Sequence, residues 1–310
     1  MRIAITGAAG GLGRRATEKL EQRHELVLID RVDPDEATVF VGTGPTGRER
    51  RPLSPHWPYH RVDITSADQV EAALAGVDAV VHLAGWPAGE WVDARTIMDA
   101  NVMGTFTVYE CAVRQGVRRV LNASSINAFG SFYWRVQPTA PIRSRMPLIE
   151  DEPRVAEDPY SLSKGITEDI GWTYRRAFGI EAINLRFAGV VHEPQYARLL
   201  EEGLPSSRAW ADDLWSWVHV RDWMDGIAAA VEVPASTSEP IVLGGADTRA
   251  PEDTLDLISR FRPEFLSELR EPLPGRSPLL SITRARAFLG YQPQYTLSEA
   301  PVIPAATADG

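Results

Sequence analysis

The sequence predicts an α/β fold, a doubly wound parallel sheet with helices on both faces. Three observations predict it. A glycine-rich turn, TGAAGGLG, directly follows an apolar run at the start of the chain. Strand-like and helix-like segments then alternate along most of the length. About twenty residues after the turn, the segment ELVLID ends in an acid, Asp30, at the spacing typical of dinucleotide-binding folds. Together these features indicate a Rossmann-type sheet.

The first element is a short strand, Arg2–Thr6, that turns directly into a helix through Gly7, Gly10 and Gly13. Glycine is required where the backbone takes a positive φ or where a phosphate approaches closer than a Cβ allows. The helix opens with unpaired N–H groups and the positive end of its dipole, which favour an anion. The turn therefore predicts a pyrophosphate site. A glycine-rich surface turn, the alternative, leaves the spacing of Asp30 unexplained.

The later elements follow from apolar periodicity and capping signals. The predicted strands are Arg2–Thr6, Glu25–Asp30, His60–Ile64, Ala79–Ala84, Arg119–Ala123 and Glu181–Phe187. The predicted helices are Leu12–Gln22, Ala67–Ala75, Asp93–Gln115 and Pro159–Phe178. Such alternation gives right-handed βαβ units, whose ligands bind at the carboxyl ends of the strands.

Two regions depart from the alternation. The density of proline and glycine over Val32–Tyr59 predicts a long surface loop. In the last third the pieces are short, with a strand at Trp215–Val220, a helix near Asp222–Val231 and a strand at Ile241–Gly245. We predict an NAD-binding domain over residues 1–187 and a smaller substrate-binding lobe over 188–310, with elements near 215–245 returning to the sheet.

Composition narrows the class of protein. A formal charge of −10 over 310 residues disfavours nucleic acid and anionic membranes as partners. The single cysteine, Cys111, excludes an internal disulfide and a multi-cysteine metal site, and no metal site is predicted. No apolar run reaches the length of a membrane span, and the chain begins directly with its first strand. We predict a soluble, cytoplasmic protein.

The residues with a chemical use are a tyrosine, a lysine and a serine. Tyr160 and Lys164 are four apart in PYSLSK, at the start of a helical segment, so they share a helix face. A phenol, with a reference pKa of about 10, becomes a better base when an ammonium lies nearby. Ser124 and Ser125 end the fifth strand, where one hydroxyl can bind a carbonyl or alkoxide oxygen. A Tyr-x-x-x-Lys pair alone is common, but its combination with the glycine turn is specific.

With these features the chain resembles the extended short-chain dehydrogenases/reductases, the NAD-dependent epimerase/dehydratase family, over nearly its whole length. The matching segments are TGAAGGLG, Asp30, VDIT, VHLAG, NVMGT, NASS, PLIEDEP, YSLSK, LRF, WVHVRD and LGYQP. The resemblance implies that Tyr160 is the acid/base, that Lys164 lowers its pKa and binds the nicotinamide ribose, and that Ser125 orients the reacting oxygen. It also implies homodimers formed through the helices Asp93–Gln115 and Pro159–Phe178.

NAD is the cofactor that the resemblance and Asp30 together indicate. A carboxylate at the end of the second strand accepts from both adenosine-ribose hydroxyls and repels a 2′-phosphate, and the neighbouring Arg31 does not remove that repulsion. The positions that the resemblance assigns to the cofactor are Gly7, Gly10, Leu12, Gly13, Asp30, Asp63, Ile64, Leu83, Ala84, Gly85, Asn101, Tyr160 and Lys164.

Within the family the chain is most similar to uronate dehydrogenases, which oxidise the anomeric carbon of a hexuronate with NAD. That similarity implies that Arg186 binds the sugar carboxylate, and the alternative is an ion pair at a strand end. Ser125, Asn127, Trp86 and His192 are the other predicted substrate contacts. Polar residues of the uronate enzymes are not retained at Pro87 and Ile126. Several further aromatic residues lie in segments expected near the pocket, namely Trp91, Phe129, Phe132, Tyr133, Trp134, Trp210, Trp215 and Trp217.

The predicted function is oxidation of a hydroxyl of a small sugar or sugar acid, with proton transfer to Tyr160 and hydride transfer to NAD. One alternative is a sugar epimerase of the nucleotide-sugar 4-epimerase type, which returns the hydride to the opposite face. Another is a non-catalytic dinucleotide-binding regulator, which has no need of Ser125, Tyr160 and Lys164. Dehydration is disfavoured, because Ile126, Asn127 and Ala128 stand where dehydratases carry an acid pair.

Overall fold

The computed structural model describes residues 1–40, 48–87, 92–130, 143–204, 211–234 and 239–300. The strands in those ranges are β1 (Arg2–Thr6), β2 (Glu25–Asp30), β3 (Thr38–Phe40), β4 (Arg48–Arg50), β5 (Tyr59–Arg61), β6 (Ala79–His82), β7 (Arg119–Ala123), β8 (Glu181–Phe187), β9 (Val190–Val191), β10 (Val218–His219) and β11 (Ile241–Leu243). The helices are α1 (Gly11–Leu20), α2 (Ala67–Ala73), α3 (Ala94–Ile97), α4 (Gly104–Arg114), α5 (Pro159–Phe178), α6 (Glu193–Glu202), α7 (Val220–Glu232), α8 (Thr254–Phe261) and α9 (Thr283–Leu289).

In the described part of the chain, seven strands form one parallel sheet in the order β11-β8-β7-β6-β1-β2-β5. The central strands are buried on both faces, as parallel sheets require when helices cover them. The apolar residues form one core on each face of the sheet, one beneath α1 and α7 and the other beneath α2 and α4. The predicted doubly wound α/β fold is confirmed.

The sheet brings the carboxyl ends of its strands to one edge. The order of the strands reverses between β1 and β6, and ligands of open α/β sheets bind at such a switch point. The loops that follow β1, β6, β7 and β8 therefore surround one crevice. β11 lies in the C-terminal third of the chain and pairs with β8 in this sheet.

Four of the six predicted strands are close to the observed ones, and two are shorter. The strand predicted over His60–Ile64 is β5, which ends earlier because Asp63 accepts from the backbone N–H of Thr65 and turns the chain. The strand predicted over Ala79–Ala84 ends at His82, because the backbone N–H of Ala84 donates to the side chain of Thr6 at 3.2 Å.

Three predictions about local structure were wrong in part. Val32–Tyr59 is not loop throughout, since β3 and β4 pair antiparallel within it. The strand predicted over Trp215–Val220 is reduced to β10, because Trp215 has φ of 51° and lies in a turn, and because Val220 begins α7. The helix predicted over Asp93–Gln115 contains a π-helical turn at Met98–Met103 between α3 and α4.

No helix in the described ranges is both long and apolar enough to span a bilayer.

Candidate active site

The glycine turn after β1 is too tight for side chains. Gly7 has φ of 73°, and a Cβ there would lie 2.9 Å from the backbone nitrogen of Ala84. A Cβ on Gly13 would overlap the backbone of Gly7 and Ala8. Gly10 precedes α1 without a capping side chain, so no side chain at the N-cap satisfies the first N–H groups of the helix. Gly7 and Gly13 are therefore required by the close packing of β1, α1 and the loop after β6.

Asp30 lies beside this turn. Its Oδ2 accepts from the backbone N–H of Ala9 at 3.0 Å, and its Oδ1 accepts from that of Val32 at 3.2 Å. These bonds hold the carboxylate at the end of β2, next to the glycine turn. The position is the one from which an acid accepts from the hydroxyls of an adenosine ribose.

The adenine side of the predicted cofactor site is formed by the segment after β5. Asp63 accepts from the backbone and hydroxyl of Thr65, and these hydrogen bonds hold the pKa of the Asp63 carboxyl below its usual value. Ile64 packs against Gly104, where a Cβ would collide with its side chain. Asp63 and Ile64 therefore have clear structural roles here, and their contact with adenine stays a prediction.

Trp86 lies on this same side. The guanidinium of Arg31, the residue after Asp30, stands 5.3 Å from the centre of the Trp86 ring, at a distance typical of a cation–π contact. Trp86 was predicted as a substrate contact. The structure places its ring next to the residue that follows β2, and its contact with substrate stays a prediction.

Asn101 joins the loop after β6 to the start of α5. Its side chain accepts from the backbone N–H of Trp86 at 2.7 Å and donates to the hydroxyl of Ser163 at 3.1 Å. It lies in the π-helical turn, and such turns occur frequently at functional sites. Gly85 is required beside it, because a Cβ there would lie 2.7 Å from the Asn101 oxygen. The segment Leu83–Gly85 is thereby fixed against the glycine turn.

A buried hydrogen-bond chain that the sequence did not reveal supports this loop. The hydroxyl of Thr105 donates to the backbone oxygen of Asn101, so it accepts from Nε2 of His82. Nδ1 of His82 then accepts from the hydroxyl of Thr6 at 2.7 Å. Burial lowers the pKa of His82 to about 3, so the imidazole is neutral. The sequence signal for this chain was a histidine, His82, inside an otherwise apolar predicted strand.

Ser125 and Asn127 form the turn after β7. Ser125 begins a 3₁₀ turn, Ile126–Phe129, and its hydroxyl accepts from the backbone N–H of Asn127 at 3.1 Å. The Asn127 oxygen accepts from the Ser125 hydroxyl at 3.0 Å. Within the described part of the chain, the buried Asn127 amide nitrogen has no hydrogen-bond partner. Because unpaired buried donors are costly, this nitrogen is suited to bind a ligand oxygen.

The start of α5 carries Tyr160 and Lys164. Asp158 caps the helix by accepting from the backbone N–H of Ser161 at 2.8 Å, and Pro159 occupies its first turn. The Lys164 ammonium donates to the backbone oxygen of Ala123, two residues before Ser125, at 2.7 Å. It lies 5.6 Å from the centre of the Tyr160 ring.

Since α5 also packs against the turn that follows Ser125, the structure brings Ser125, Tyr160 and Lys164 together at the end of β7. Burial lowers the pKa of Lys164 to about 8, and the carboxylate of Glu168 opposes that change. The lysine therefore remains largely an ammonium at neutral pH, the form that stabilises a neighbouring phenolate.

Arg186 is engaged in an ion pair. Its guanidinium binds both oxygens of Glu168, at 2.8 and 2.7 Å, and donates to the backbone oxygen of Glu150 at 3.0 Å. Arg186 and Glu168 are both buried, and Arg186 also covers the ring of Phe129. The fork that a substrate carboxylate would need is therefore occupied by Glu168. The alternative weighed from the sequence, an ion pair at a strand end, describes this geometry.

Glu168 itself was missed by the sequence analysis. It also accepts from the hydroxyl of Ser124, the residue before Ser125. The signal was its position four residues after Lys164, on the same helix face. The carboxylate of Glu168 thus forms the ion pair with Arg186 and also attracts the ammonium of Lys164.

His192 lies at the glycine turn. A Cβ on Gly11, the first residue of α1, would lie 3.9 Å from both Cε1 and Nε2 of His192. Burial, with the nearby Arg15, lowers the pKa of the imidazole below its usual value. His192 was predicted as a substrate contact, and the structure places it beside the predicted pyrophosphate site.

The other aromatic residues have varied positions. Phe129, Trp215 and Trp217 are fully buried in the core. The Trp217 indole donates to Asp247 at 3.0 Å. Among the aromatic residues considered from the sequence, Trp91, Phe132, Tyr133, Trp134 and Trp210 lie outside the described residues.

The crevice fits a dinucleotide. Its glycines leave room where side chains would fill the cradle, no side chain caps the start of α1, and Asp30 lies at the end of β2, the position predicted to bind the adenosine ribose. In the order of the strands, Asp30 at the end of β2 lies on one side of β1 and its glycine turn. The Lys164 ammonium lies on the opposite side, near the end of β7.

Comparisons with known proteins identify the family of the chain. The model of the NAD dependent epimerase/dehydratase family matches residues 3–244. A uronate dehydrogenase of Pseudomonas syringae pv. tomato is 30% identical over 203 residues, which cover 66% of this chain and 64% of that protein. The aligned part is thus just under two thirds of that relative.

A second relative is an L-arabinose 1-dehydrogenase (NAD(P)(+)) of Haloferax volcanii, 28% identical over 237 residues that cover 74% of this chain and 82% of that protein. A solved structure described as a mutated uronate dehydrogenase superposes with a TM-score of 0.64 at 24% identity, covering 96% of this chain and 82% of that one. At that identity the superposition shows the shared fold.

Proposed function

Because the chain belongs to the NAD-dependent epimerase/dehydratase family, we propose that it is an NAD-dependent dehydrogenase that oxidises a hydroxyl of a small sugar or sugar acid. One observation carries the proposal. Ser125, Tyr160 and Lys164 meet at the carboxyl end of β7, at the same sheet edge as the glycine turn. A protein that only senses a dinucleotide has no use for this arrangement.

Each residue of the proposed active site has a separate role in the reaction. Ser125 and the unpaired amide of Asn127 hold the substrate oxygen, and Tyr160 accepts the proton of the substrate hydroxyl. The ammonium of Lys164 stabilises the tyrosine in its ionised form. NAD, when bound, would supply a nicotinamide ring that accepts the hydride from the carbon that carries this hydroxyl. The C–H and O–H bonds break, a carbonyl forms, and the proton ends on Tyr160.

The substrate class rests on the relatives. A uronate dehydrogenase and an arabinose dehydrogenase both act on free sugars or sugar acids, according to their names. Residues 126–128 after Ser125 contain no carboxylate, which disfavours dehydration. We propose that residues 188–310 supply most of the substrate contacts. Arg186 is not among the proposed substrate ligands, because Glu168 occupies its guanidinium.

A screen of free sugars tests this function. Purified protein is incubated with NAD and with single hexuronates, pentoses or hexoses, and NADH is followed by its absorbance. We expect NADH with at least one sugar or sugar acid. A protein that converts a sugar without accumulating NADH is an epimerase, and a protein that binds NAD but converts none of them is a regulator. Either result overturns the proposal.

Cofactor choice is expected to depend on Asp30. The native protein should prefer NAD, since the carboxylate repels a 2′-phosphate at this position. In Asp30→Ser the preference for NAD over NADP, as the ratio of their kcat/KM values, should fall by about tenfold or more, the size of one strong charge interaction. Asp35→Ser is the control, because Asp35 is exposed on the following turn. Equal native use of both cofactors would refute this role.

We further propose that the protein is a cytoplasmic homodimer, assembled through α4 and α5. These helices pack together and expose large apolar side chains. The exposed residues are Met103 at 50% and Phe106 at 41% beside and on α4, with Leu162 at 48%, Trp172 at 44% and Phe178 at 58% on α5. Phe106, Tyr174 and Phe178 form a continuous row of rings. Two copies joined by a twofold axis bury this surface.

Charge on this surface should separate the subunits. We expect the double variant Phe106→Glu, Phe178→Glu to sediment as a monomer at concentrations where the native protein sediments as a dimer, because four carboxylates would meet in the interface. Leu266→Glu is the matched control, since Leu266 is equally exposed but lies far along the chain on the C-terminal lobe. A native monomer, or a dimer that survives the double substitution, contradicts the interface.

A further inference from the structure

His192 is a polar side chain that the proposed reaction does not use. It follows β9 and precedes α6, so the chain delivers it to the sheet edge from the β8 side. Its imidazole stands beside Gly11, where α1 begins, as the 3.9 Å distance from a Cβ on Gly11 shows. Among the described residues, no side chain hydrogen-bonds its ring nitrogens, although the ring is half-buried.

The charged side chains around His192 form ion pairs with one another. Arg15 of α1 pairs with Glu193 at 2.7 Å, and Arg221 of α7 reaches the other oxygen of Glu193 at 3.4 Å. Glu193 is thereby shared between two arginines, and among the described residues it has no hydrogen bond with the His192 ring. The lowered pKa keeps the imidazole neutral near pH 7, so one ring nitrogen carries a hydrogen to donate and the ring costs little to desolvate.

We propose that His192 is a cofactor-binding residue that donates a hydrogen bond to the diphosphate of the dinucleotide, closing the crevice over the first turn of α1. The N–H groups at the start of α1 face the same diphosphate from the other side. The imidazole therefore completes a ring of donors around an anion. This inference rests on the proposed NAD-dependent function and assigns His192 to the cofactor rather than to the sugar.

Binding measurements without turnover test the assignment. Dissociation constants of NAD, ADP-ribose and adenosine are measured by calorimetry for the native protein, His192→Ala and His192→Gln. We expect His192→Ala to bind NAD and ADP-ribose about tenfold more weakly, the effect of one hydrogen bond to a charged group, and to bind adenosine as the native protein does. The control His60→Ala, an exposed histidine of β5, should match the native protein.

The outcomes separate the two levels of the proposal. If the native protein binds none of the three ligands, the NAD-dependent function itself fails. If the native protein binds NAD and His192→Ala binds it equally well, only the role of His192 fails. A loss confined to NAD and absent from ADP-ribose would place His192 at the nicotinamide and also overturn the inference, as would an unchanged NAD affinity with a raised KM for the sugar.

Discussion

Tyr160→Phe is expected to reduce kcat by roughly 10²–10⁴, the usual range for loss of a general acid or base. The ring remains in place, since Tyr160 is 5% exposed and packs at the start of α5, while the ionisable proton is lost. Affinity for NAD should be close to native, because the Lys164 ammonium keeps its bond to Ala123. The measurements are steady-state kinetics and NAD binding on the same preparations.

Tyr109→Phe provides the matched control. Tyr109 is also a buried tyrosine, on α4, and among the described residues its hydroxyl has no hydrogen-bond partner. Its replacement should leave kcat unchanged and the free energy of unfolding unchanged or slightly improved, because no bond is broken. Tyr160→Phe with activity within a few-fold of native would remove Tyr160 from the chemistry.

Arg186→Leu is expected to destabilise the protein by about 3–5 kcal/mol, the cost of leaving a buried charge without its partner. The substitution strands the carboxylate of Glu168, which is buried beside Ser124 and four residues from Lys164. For a chain of this size the melting temperature should fall by roughly 5–10 °C. Thermal and urea unfolding measure the change, and all substrates that the enzyme accepts should be affected alike.

A surface ion pair supplies the comparison. Arg95 pairs with Asp99 at 2.7 Å, but both side chains are exposed, so Arg95→Leu should unfold at the native temperature within error. If Arg186→Leu were as stable as the native protein and lost activity on a uronate but not on its neutral parent sugar, Arg186 would bind the substrate carboxylate. The buried ion pair of Arg186 with Glu168 would then give way to the substrate carboxylate and would contribute little to stability.

Much of the fold was predictable because its signals are local. The glycine turn, the caps of α5 and the apolar runs of β1, β2, β7 and β8 each specify their own conformation, and those four strands have the predicted bounds. Short elements were less predictable. The strand predicted over Trp215–Val220 is reduced to two residues, because the buried Trp215 lies in a turn and Val220 already begins α7.

The candidate site was likewise predictable where its signals are local and unpredictable where distant segments meet. Asp30, Ser125, Tyr160 and Lys164 lie at positions that motif spacing indicates, at strand ends and on one helix face. The partners of Arg186, Trp86 and His192 depend on which distant segments meet at the sheet edge. No sequence pattern shows that Glu168 occupies the guanidinium of Arg186, or that His192 faces Gly11. Long-range contacts of this kind required the structure.

The stoichiometry of NADH to sugar tests the central claim most directly. A limiting amount of the best sugar from the screen is converted to completion with excess NAD, and NADH and remaining sugar are both quantified. The account predicts one NADH formed for each sugar consumed, with an oxidised sugar as the sole product, and no conversion by Tyr160→Phe on the same time scale. Sugar converted to an isomer with no net NADH would contradict it and identify an epimerase.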